Sequence, residues 1–186
     1  MCGIIALANK DKKSIDNNLF IKLSSYIDHR GPDGQGFWSK NNISIGHKRL
    51  KIIDLTENGA QPMFSNDKRY VLSFNGEIYN FKKLKKIIVK KGYVFKSETD
   101  SEVVVNSFQE WGLDSLKMFN GMFAFIIWDQ LKNEFIVSRD RYGIKPLYYF
   151  KNEKIIMFSS EIKPIINHPY FEKKKNFNFL NEYFTF

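Results

Sequence analysis

Residues 122–161 read MFAFIIWDQLKNEFIVSRDRYGIKPLYYFKNEKIIMFSSE, and this stretch decides the fold class. It contains four short apolar runs, at 122–129, 134–140, 146–150 and 155–161, separated by the polar segments QLKN, RYGIK and KNEK. Runs of this length, rich in aromatic and β-branched residues and bounded by turn-forming residues, are typical of β-strands. The stretch therefore predicts four consecutive strands, with connections too short for helical crossovers, which favours antiparallel pairing.

Further strands are predicted upstream of this stretch. They lie at Gly3–Asn9, 42–50 and 69–80. The first is a short, continuous apolar run, which predicts a buried strand. In the second, Ile43 and Ile45 alternate with polar residues, so a half-buried strand is expected.

Helices are predicted between these strands from apolar spacing and end signals. Leu19, Leu23 and Ile27 recur at four-residue steps and predict a helix that ends at the Gly31-Pro32 break. The segment 81–91 carries apolar residues on one face and lysines on the other, which predicts an amphipathic helix.

A third helix is predicted to begin at Thr99 and to end at Gly112. Thr99 and Glu102 have the spacing of a capping box, in which each side chain accepts a hydrogen bond from the other residue's backbone N–H. The tail 175–186 resembles the start of one more helix. Because the helices lie mainly in the first two-thirds and several strands follow, we expect an α+β fold with largely antiparallel sheets covered by helices.

The composition is that of a globular protein, with 43% hydrophobic and 16% aromatic residues over 186 positions. This length suits one domain with its own core. The sequence has no apolar run long enough to span a bilayer, and its start lacks the basic and apolar regions of a secretory signal. Together with a single cysteine, which excludes an internal disulfide, these features predict a cytoplasmic protein without a membrane partner.

The formal net charge of +9 is the one bulk feature that could indicate a nucleic-acid partner. Lysines carry most of this charge, and only five arginines, the better readers of phosphates and bases, are present. The lysines are scattered apart from clusters at 82–91 and 173–175. A solvated, lysine-rich exterior explains the pattern more simply, so we expect no nucleic-acid partner.

The only cysteine, Cys2, stands directly before the predicted strand Gly3–Asn9. If an aminopeptidase removes Met1, Cys2 carries both a thiol and a free α-amine, with reference pKa values of about 8.5 and about 7.7–8.0. The amine can then take the proton of the thiol, so that one residue supplies both nucleophile and base. The alternative is a buried cysteine that packs as a small apolar residue.

Short motifs in a fixed order carry a family resemblance. They are MCGI (1–4), HRGPDGQG (29–36), GHKRLKIID (46–54), QPM (61–63), FNGEIYN (74–80), SETDSEVV (97–104), NGMFAFIIWD (120–129), RDRYGIKPLYY (139–149) and SSEIK (159–163). Over nearly the whole chain they resemble the glutaminase domain of asparagine synthetases, which are class II glutamine amidotransferases. The resemblance implies the N-terminal-nucleophile hydrolase fold, a four-layer α/β/β/α sandwich of two largely antiparallel sheets covered by helices.

The resemblance also implies the reacting groups. Cys2 would attack the side-chain amide carbon of glutamine and form a γ-glutamyl thioester, releasing ammonia before water releases glutamate. Asn75 and Gly76 would stabilise the oxyanion, a role that requires preorganised donors. Without the resemblance, Asn-Gly between two apolar runs is instead typical of a type I′ hairpin turn.

The substrate's charged end has its own implied contacts. Arg49 would bind the α-carboxylate of glutamine, and Asp100 and Glu77 would bind its α-ammonium. The remaining implied contacts to glutamine come from Leu50, Ile52 and Ile53. From residue chemistry alone, Arg49 could equally form a surface ion pair, and Asp100 could simply favour the helix dipole.

Other polar motifs have implied supporting or structural roles. Arg30, in the turn RGPD, would support the loop around the nucleophile without contacting glutamine. RDRYGIKPLYY is expected to form a turn and a strand, and His29 and His47 are expected to be satisfied polar groups. No group of histidines, cysteines or carboxylates has metal-ligand spacing, so we expect no metal.

The resemblance implies one domain that this sequence does not contain. The glutaminase domain would cover 1–165, and 166–186 would begin the connection to a synthetase domain, on which ATP and magnesium are expected. WGLDSL (111–116) contains Gly-x-Asp-Ser but follows a helix, so we expect a helix–helix turn and no phosphate loop. The expected partner is a synthetase domain or subunit that accepts ammonia; the alternative function is a non-catalytic domain that docks on such a partner.

Overall fold

Two antiparallel β-sheets face each other in the computed structural model, which describes residues 1–174, 177 and 180–185. The strands are β1 (Gly3–Asn9), β2 (Gly34–Lys40), β3 (Ile43–Arg49), β4 (Met63–Phe64), β5 (Tyr70–Ile78), β6 (Gly121–Asp129), β7 (Glu134–Arg139), β8 (Tyr148–Lys151) and β9 (Ile155–Ser159). Within the described residues, one sheet has the order β2-β3-β1-β9-β8 and the other the order β4-β5-β6-β7. We call them the nucleophile sheet, after the role predicted for Cys2 at the start of β1, and the partner sheet.

Helices cover the outer face of each sheet. The helices within the described residues are α1 (Asn17–Ser25), α2 (Phe81–Lys90), α3 (Asp100–Trp111), α4 (Ser115–Met118), α5 (Ile162–Ile166) and α6 (Leu180–Thr185). Phe20 and Leu23 of α1 and Ile165 of α5 pack on the nucleophile sheet. Val104 and Phe108 of α3 pack on the partner sheet. The expected four-layer α/β/β/α sandwich is therefore confirmed.

A third apolar layer lies between the two sheets. Its buried members come from inward-facing positions of both sheets, as the two-residue period of a strand requires. They are Ile4, Ala6, Ala8, Ile43, Ile45, Val71, Ala124, Ile126, Trp128 and Phe158. Since the nucleophile sheet also packs on α1, β3 is buried along its whole length. The expectation of a half-buried strand at 42–50 is therefore wrong.

Two helix predictions need correction at their ends. Helix α1 ends at Ser25, and the chain continues into a 3₁₀ turn at Asp28–Arg30 before Gly31. The capping box is formed only in half, because the Thr99 hydroxyl accepts from Glu102 N, while the Glu102 carboxylate binds the N–H groups of Lys96 and Ser97. Glu102 therefore fixes the loop before α3 more firmly than the predicted reciprocal bond would.

The remaining predictions concern the last part of the chain. The four strands in 122–161 are confirmed with small differences in their bounds. WGLDSL links α3 to α4 through a 3₁₀ turn at Gly112–Asp114, which confirms the helix–helix connection. Of the predicted tail helix, Leu180–Thr185 is described as α6, whereas positions 175, 176, 178, 179 and 186 lie outside the described residues. In the part of the chain that is described, none of the helices is long and apolar enough to cross a bilayer.

Candidate active site

A pocket lies at the edge where the start of β1 meets the end of β5. Strand β1 pairs antiparallel with β3, with Gly3 opposite Lys48, so Cys2 comes to lie beside the end of β3. Helix α3 begins next to the last residues of β5. The pocket is lined by the following predicted site residues: Cys2, Arg49, Leu50, Ile52, Ile53, Gly76, Glu77 and Asp100.

The Cys2 thiol sits in the wall of this pocket and is partly buried. Its Sγ lies 3.4 Å from the backbone N of Leu50, which donates to it, and 3.7 Å from the carbonyl oxygen of Leu50. Burial raises the pKa of the Cys2 thiol, although the Leu50 N–H and the Arg49 charge act in the opposite direction. The thiol is therefore mostly protonated near neutral pH and needs a base before it can attack.

Arg30 contacts the backbone of Cys2. Its Nε donates to the carbonyl oxygen of Cys2 at 3.0 Å, and its side chain is almost fully buried. Arg30 does not line the pocket. This contact agrees with a supporting role beside the nucleophile.

Arg49 projects from the end of β3 and is 6% exposed. Its Nη1 and Nη2 donate to the carbonyl oxygens of Thr56 and Asp54, at 2.8 and 2.6 Å. Gly59 leaves room for the guanidinium, because a Cβ at that position would overlap Nη2. The alternative of a surface ion pair is therefore wrong: Arg49 is a buried side chain that fixes the loop 54–59 with part of its donors and faces the pocket.

Asn75 and Gly76 lie in the middle of the β5–β6 ladder. They stand opposite Ala124 and Phe123, so the alternative of a hairpin turn is wrong. A Cβ at position 76 would overlap the Met122 carbonyl and Phe123, and only glycine fits there.

The Asn75 side chain faces the nucleophile sheet, as does that of Ser73 two residues earlier, whose hydroxyl donates to the Gly46 carbonyl. Asn75 is 2% exposed, and its Nδ2 has no partner within the described residues. Buried amide donors are normally paired, so Nδ2 is an unsatisfied donor beside the pocket, whose lining includes Phe74 and Gly76 but not Asn75 itself.

Asp100 is the first residue of α3 and is 4% exposed. Its Oδ2 accepts from the backbone N of Ile78 at 2.9 Å. Burial raises the pKa of Asp100 to about 6, with the nearby Glu77 adding to the shift and the Ile78 N–H opposing it. The pocket thus has a cationic wall at Arg49 and an anionic wall at Asp100 and Glu77, which suits a zwitterionic ligand.

Direct hydrogen bonds join the two sheets beneath the pocket. His47 on β3 binds the carbonyl oxygen of Phe74 through Nε2 at 3.2 Å. Gln61 accepts from the Phe74 N–H at 2.7 Å and donates to the Ser101 hydroxyl at 3.1 Å. The site residues of the two sheets are therefore held in fixed relation. This role of His47, Gln61 and Ser101 was missed by sequence reasoning, although all three lie in the motifs that carry the resemblance.

The histidine predictions are confirmed only in part. His29 binds Glu161 through Nε2 at 2.8 Å, as a satisfied polar group should. His47 is different, because its Nδ1 is buried and lacks a partner among the described residues. Burial lowers the pKa of His47 to about 3, so the ring is neutral. Its bond to a carbonyl oxygen requires the proton on Nε2.

The motif RDRYGIKPLYY lies outside the pocket, as expected. Asp140 holds its turn together by accepting from the backbone N–H groups of Phe123, Tyr142, Ile144 and Lys145. Among the residues that the structure describes, no group of three or more histidines, cysteines or carboxylates could hold a metal ion.

Comparison with known proteins identifies the family to which the chain is similar. A family model described as a glutamine amidotransferase domain matches residues 1–186. The glutamine-hydrolyzing asparagine synthetase 3 of Bacillus subtilis is 35% identical over 99% of this chain and 30% of its own length. A putative glutamine-hydrolyzing asparagine synthetase 2 of Methanocaldococcus jannaschii is 38% identical over 96% of this chain and 37% of its own length. The chain thus spans about a third of the length of these relatives.

A solved structure shares the fold. The glutamine phosphoribosylpyrophosphate amidotransferase of Bacillus subtilis, in complex with ADP and GMP, superposes with a TM-score of 0.75 at 21% identity. The match covers 88% of this chain and 43% of that chain. This likeness shows the N-terminal-nucleophile hydrolase fold, in agreement with the two facing antiparallel sheets.

Proposed function

The chain belongs to the glutamine amidotransferase domain family, and from this premise we propose that it hydrolyses the side-chain amide of glutamine with Cys2 as the nucleophile. The observation that carries the proposal is the placement of Cys2, Arg49, Gly76 and Asp100 around one pocket. A glutaminase needs a thiol for the attack and a cation to bind the α-carboxylate. It also needs backbone donors for the oxyanion and a carboxylate to bind the α-ammonium.

Removal of Met1 is the first step of the proposed mechanism. It converts the backbone amide nitrogen of Cys2 into a primary amine with a reference pKa of about 7.7–8.0. The hydrogen bonds described for Cys2 Sγ join it only to Leu50, so no side-chain base is in place. The α-amine of Cys2 therefore takes the thiol proton, directly or through a water molecule.

The thiolate then attacks the amide carbon of glutamine. A bond forms between Sγ and this carbon, and the carbonyl electron pair moves onto oxygen, where the Asn75 side chain and the Gly76 N–H donate hydrogen bonds. Collapse of this intermediate breaks the C–N bond, and the leaving nitrogen takes the proton held by the α-amine and departs as ammonia. Water next attacks the thioester, which releases glutamate and regenerates the thiol.

Recognition of glutamine relies on the two charged walls of the pocket. Arg49 keeps further N–H groups besides the two that bind Thr56 and Asp54, and these bind the α-carboxylate. Asp100, which is ionised above its pKa of about 6, binds the α-ammonium together with Glu77. Leu50, Ile52 and Ile53 enclose the rest of the molecule.

The ammonia is proposed to serve a synthetase domain or subunit. Relatives about three times as long are named as glutamine-hydrolyzing asparagine synthetases, which supports aspartate as the ammonia acceptor. In this proposal residues 1–165 form the glutaminase domain, residues 166–186 begin the connection, and ATP and magnesium bind the synthetase domain alone.

Glutamate release from glutamine tests the proposed function. We expect the purified chain, shown by its intact mass to have lost Met1, to release glutamate and ammonia in equal amounts. Cys2→Ala should reduce the rate at least about ten-thousandfold, the usual scale for loss of a nucleophile. Lack of activity in the processed chain, or equal rates for both proteins, would contradict the proposal and would favour the non-catalytic docking domain.

A further inference from the structure

The segment Ser160–Glu161 follows β9. Ser160 contacts the start of β1 on the side away from β3, and Glu161 contacts Arg30. We propose that Glu161, acting through Arg30, is a positioning residue for Cys2. The proposal deepens the proposed function and rests on it. Glu161 lies in the motif SSEIK, for which the resemblance implies no role, and the residue does not line the pocket.

Ser160 holds the first strand where its ladder with β9 ends. The last paired residues of that ladder are Ile5 and Ser159. Beyond this pair, Ile4 N donates to the Ser160 hydroxyl at 3.0 Å, and Ser160 N donates to the Ile4 carbonyl at 2.9 Å. The segment therefore fixes the backbone two residues from Cys2.

Arg30 and Glu161 extend this support to Cys2 itself. The guanidinium donates through Nε to the Cys2 carbonyl at 3.0 Å and through Nη1 to Glu161 Oε1 at 3.1 Å. The Arg30 side chain is 8% exposed and that of Glu161 is 23% exposed. Burial would raise the pKa of Glu161, but the hydrogen bonds from Arg30 and His29 hold it below its usual range, so the carboxylate is ionised.

The ion pair with Glu161 fixes the orientation of the Arg30 guanidinium. A buried guanidinium needs an acceptor for its charge, and without Glu161 it would turn towards another oxygen or towards solvent. The second terminal nitrogen, Nη2, already lacks a partner among the described residues, so nothing else described there holds that end of the side chain. Losing Glu161 would therefore loosen the bond between Arg30 and the Cys2 carbonyl.

The consequence for catalysis follows from the place of Cys2 in the processed chain. With Met1 removed, no preceding residue restrains Cys2, and the directions of its thiol and amine depend on contacts to its own carbonyl and Sγ. Leu50 contacts Sγ, and Arg30 contacts the carbonyl. A misplacement of about 1 Å in such a group costs about a hundredfold in rate.

His29 provides a matched control. Its ring binds the same oxygen, Glu161 Oε1, at 2.8 Å, but its side chain is 58% exposed and has no described contact with Cys2. A variant at this position removes one partner of Glu161 and leaves the path through Arg30 intact.

The test compares Glu161→Ala, Glu161→Gln and His29→Ala in glutamine hydrolysis, with kcat expressed per folded chain whose intact mass shows that Met1 has been removed. For Glu161→Ala we expect kcat to fall at least about tenfold, while the KM for glutamine stays within about twofold, since Arg49 and Asp100 are untouched. Glu161→Gln, whose amide oxygen still accepts from Arg30, should recover part of the loss. His29→Ala should match the wild type.

Three outcomes overturn the positioning role. These are an unchanged kcat in Glu161→Ala, a rise in KM as large as the fall in kcat, and an equal loss in His29→Ala. If Glu161→Ala does not fold, Glu161→Gln decides: a kcat equal to that of the wild type across the pH range overturns the proposal. An inactive wild-type chain would contradict the proposed function instead, so the two failures are distinguishable.

Discussion

Two buried aspartates, Asp100 in the pocket and Asp140 in the turn between β7 and β8, have similar exposed fractions but differ in how deeply they lie and in their hydrogen bonds. They are 4% and 6% exposed. Asp140 accepts four backbone N–H groups, which outweigh the effect of burial and lower its pKa. Asp100 accepts one such bond from outside its own helix turn, and burial raises its pKa to about 6.

The difference separates a structural carboxylate from one that is available to a ligand. Asp140 has its charge compensated by its own turn and lines no part of the pocket. Asp100 faces the pocket with its charge incompletely compensated, and a substrate ammonium would supply what is missing. A perturbed pKa in a cleft indicates a functional site for this physical reason.

The largest expected effect concerns Asp100, the aspartate in the pocket. Asp100→Asn removes the anionic partner of the substrate ammonium, and we expect kcat/KM for glutamine to fall about a thousandfold, mainly through KM. Steady-state glutaminase kinetics measure this change. Asp114→Asn, at an aspartate whose side chain is 75% exposed, is the matched control and should leave the kinetics unchanged. A KM for Asp100→Asn within about threefold of the wild-type value would remove Asp100 from the binding site.

The next largest effect concerns Asp140, the aspartate in the turn between β7 and β8. Asp140→Asn replaces one carboxylate oxygen with a donor that faces backbone N–H groups, so the free energy of unfolding should fall by about 2–3 kcal/mol. Urea denaturation measures the loss, and kcat/KM of the folded fraction should change little. Tyr142→Ser, at a side chain in the same turn that is 90% exposed, should change the stability by less than about 0.5 kcal/mol. Equal losses in both variants would show that Asp140 is not what holds the turn.

The smallest expected effect is the pH dependence of two properties that Asp100 influences, the KM for glutamine and the stability. Because the pKa of Asp100 is about 6, the KM for glutamine should rise about fivefold between pH 6 and pH 5 as the carboxylate is protonated. The raised pKa also means that the folded chain binds this proton more tightly than the unfolded one. Relative to Asp100→Asn, the free energy of unfolding of the wild type should therefore decrease as the pH rises from 3.8 to about 6.

Asp100→Asn supplies the control for both pH effects. Its KM should be high and independent of pH in this range, and its stability should lack the decrease that the wild type shows. A wild-type KM that stays flat down to pH 5 would mean that Asp100 is ionised there or is not in contact with the substrate.

Local sequence patterns predicted the strands and helices whose apolar residues recur at a regular spacing or form a continuous run. The apolar runs of β1 and β6 became strands because both faces of their sheets are covered at these central positions, whereas β7 and β8 lie at sheet edges and are partly exposed. Strand β2 was missed because its residues are glycine, polar and aromatic without alternation, and it pairs only through β3. The two-residue strand β4 is too short to leave a pattern.

The predicted site residues other than Asn75 and Arg30 line one pocket, but their local structure was not predicted. Asn75-Gly76 has a local preference for a turn, and the long ladder with β6 overrides it. The contacts of Arg49 with loop carbonyls, and the link from Glu161 through Arg30 to Cys2, join residues whose pairing no local pattern encodes. The unpaired Nδ1 of His47 likewise depends on two sheets meeting.

The account depends most on a covalent bond between Cys2 and substrate. Mixing the processed chain with glutamine, quenching with acid within the first turnover and measuring the masses of its peptides tests this bond directly. We predict that the peptide beginning with Cys2 gains one γ-glutamyl group and loses it again as glutamate appears. Glutamate formation while Cys2 stays unmodified, or a γ-glutamyl group on any other residue, would contradict the account.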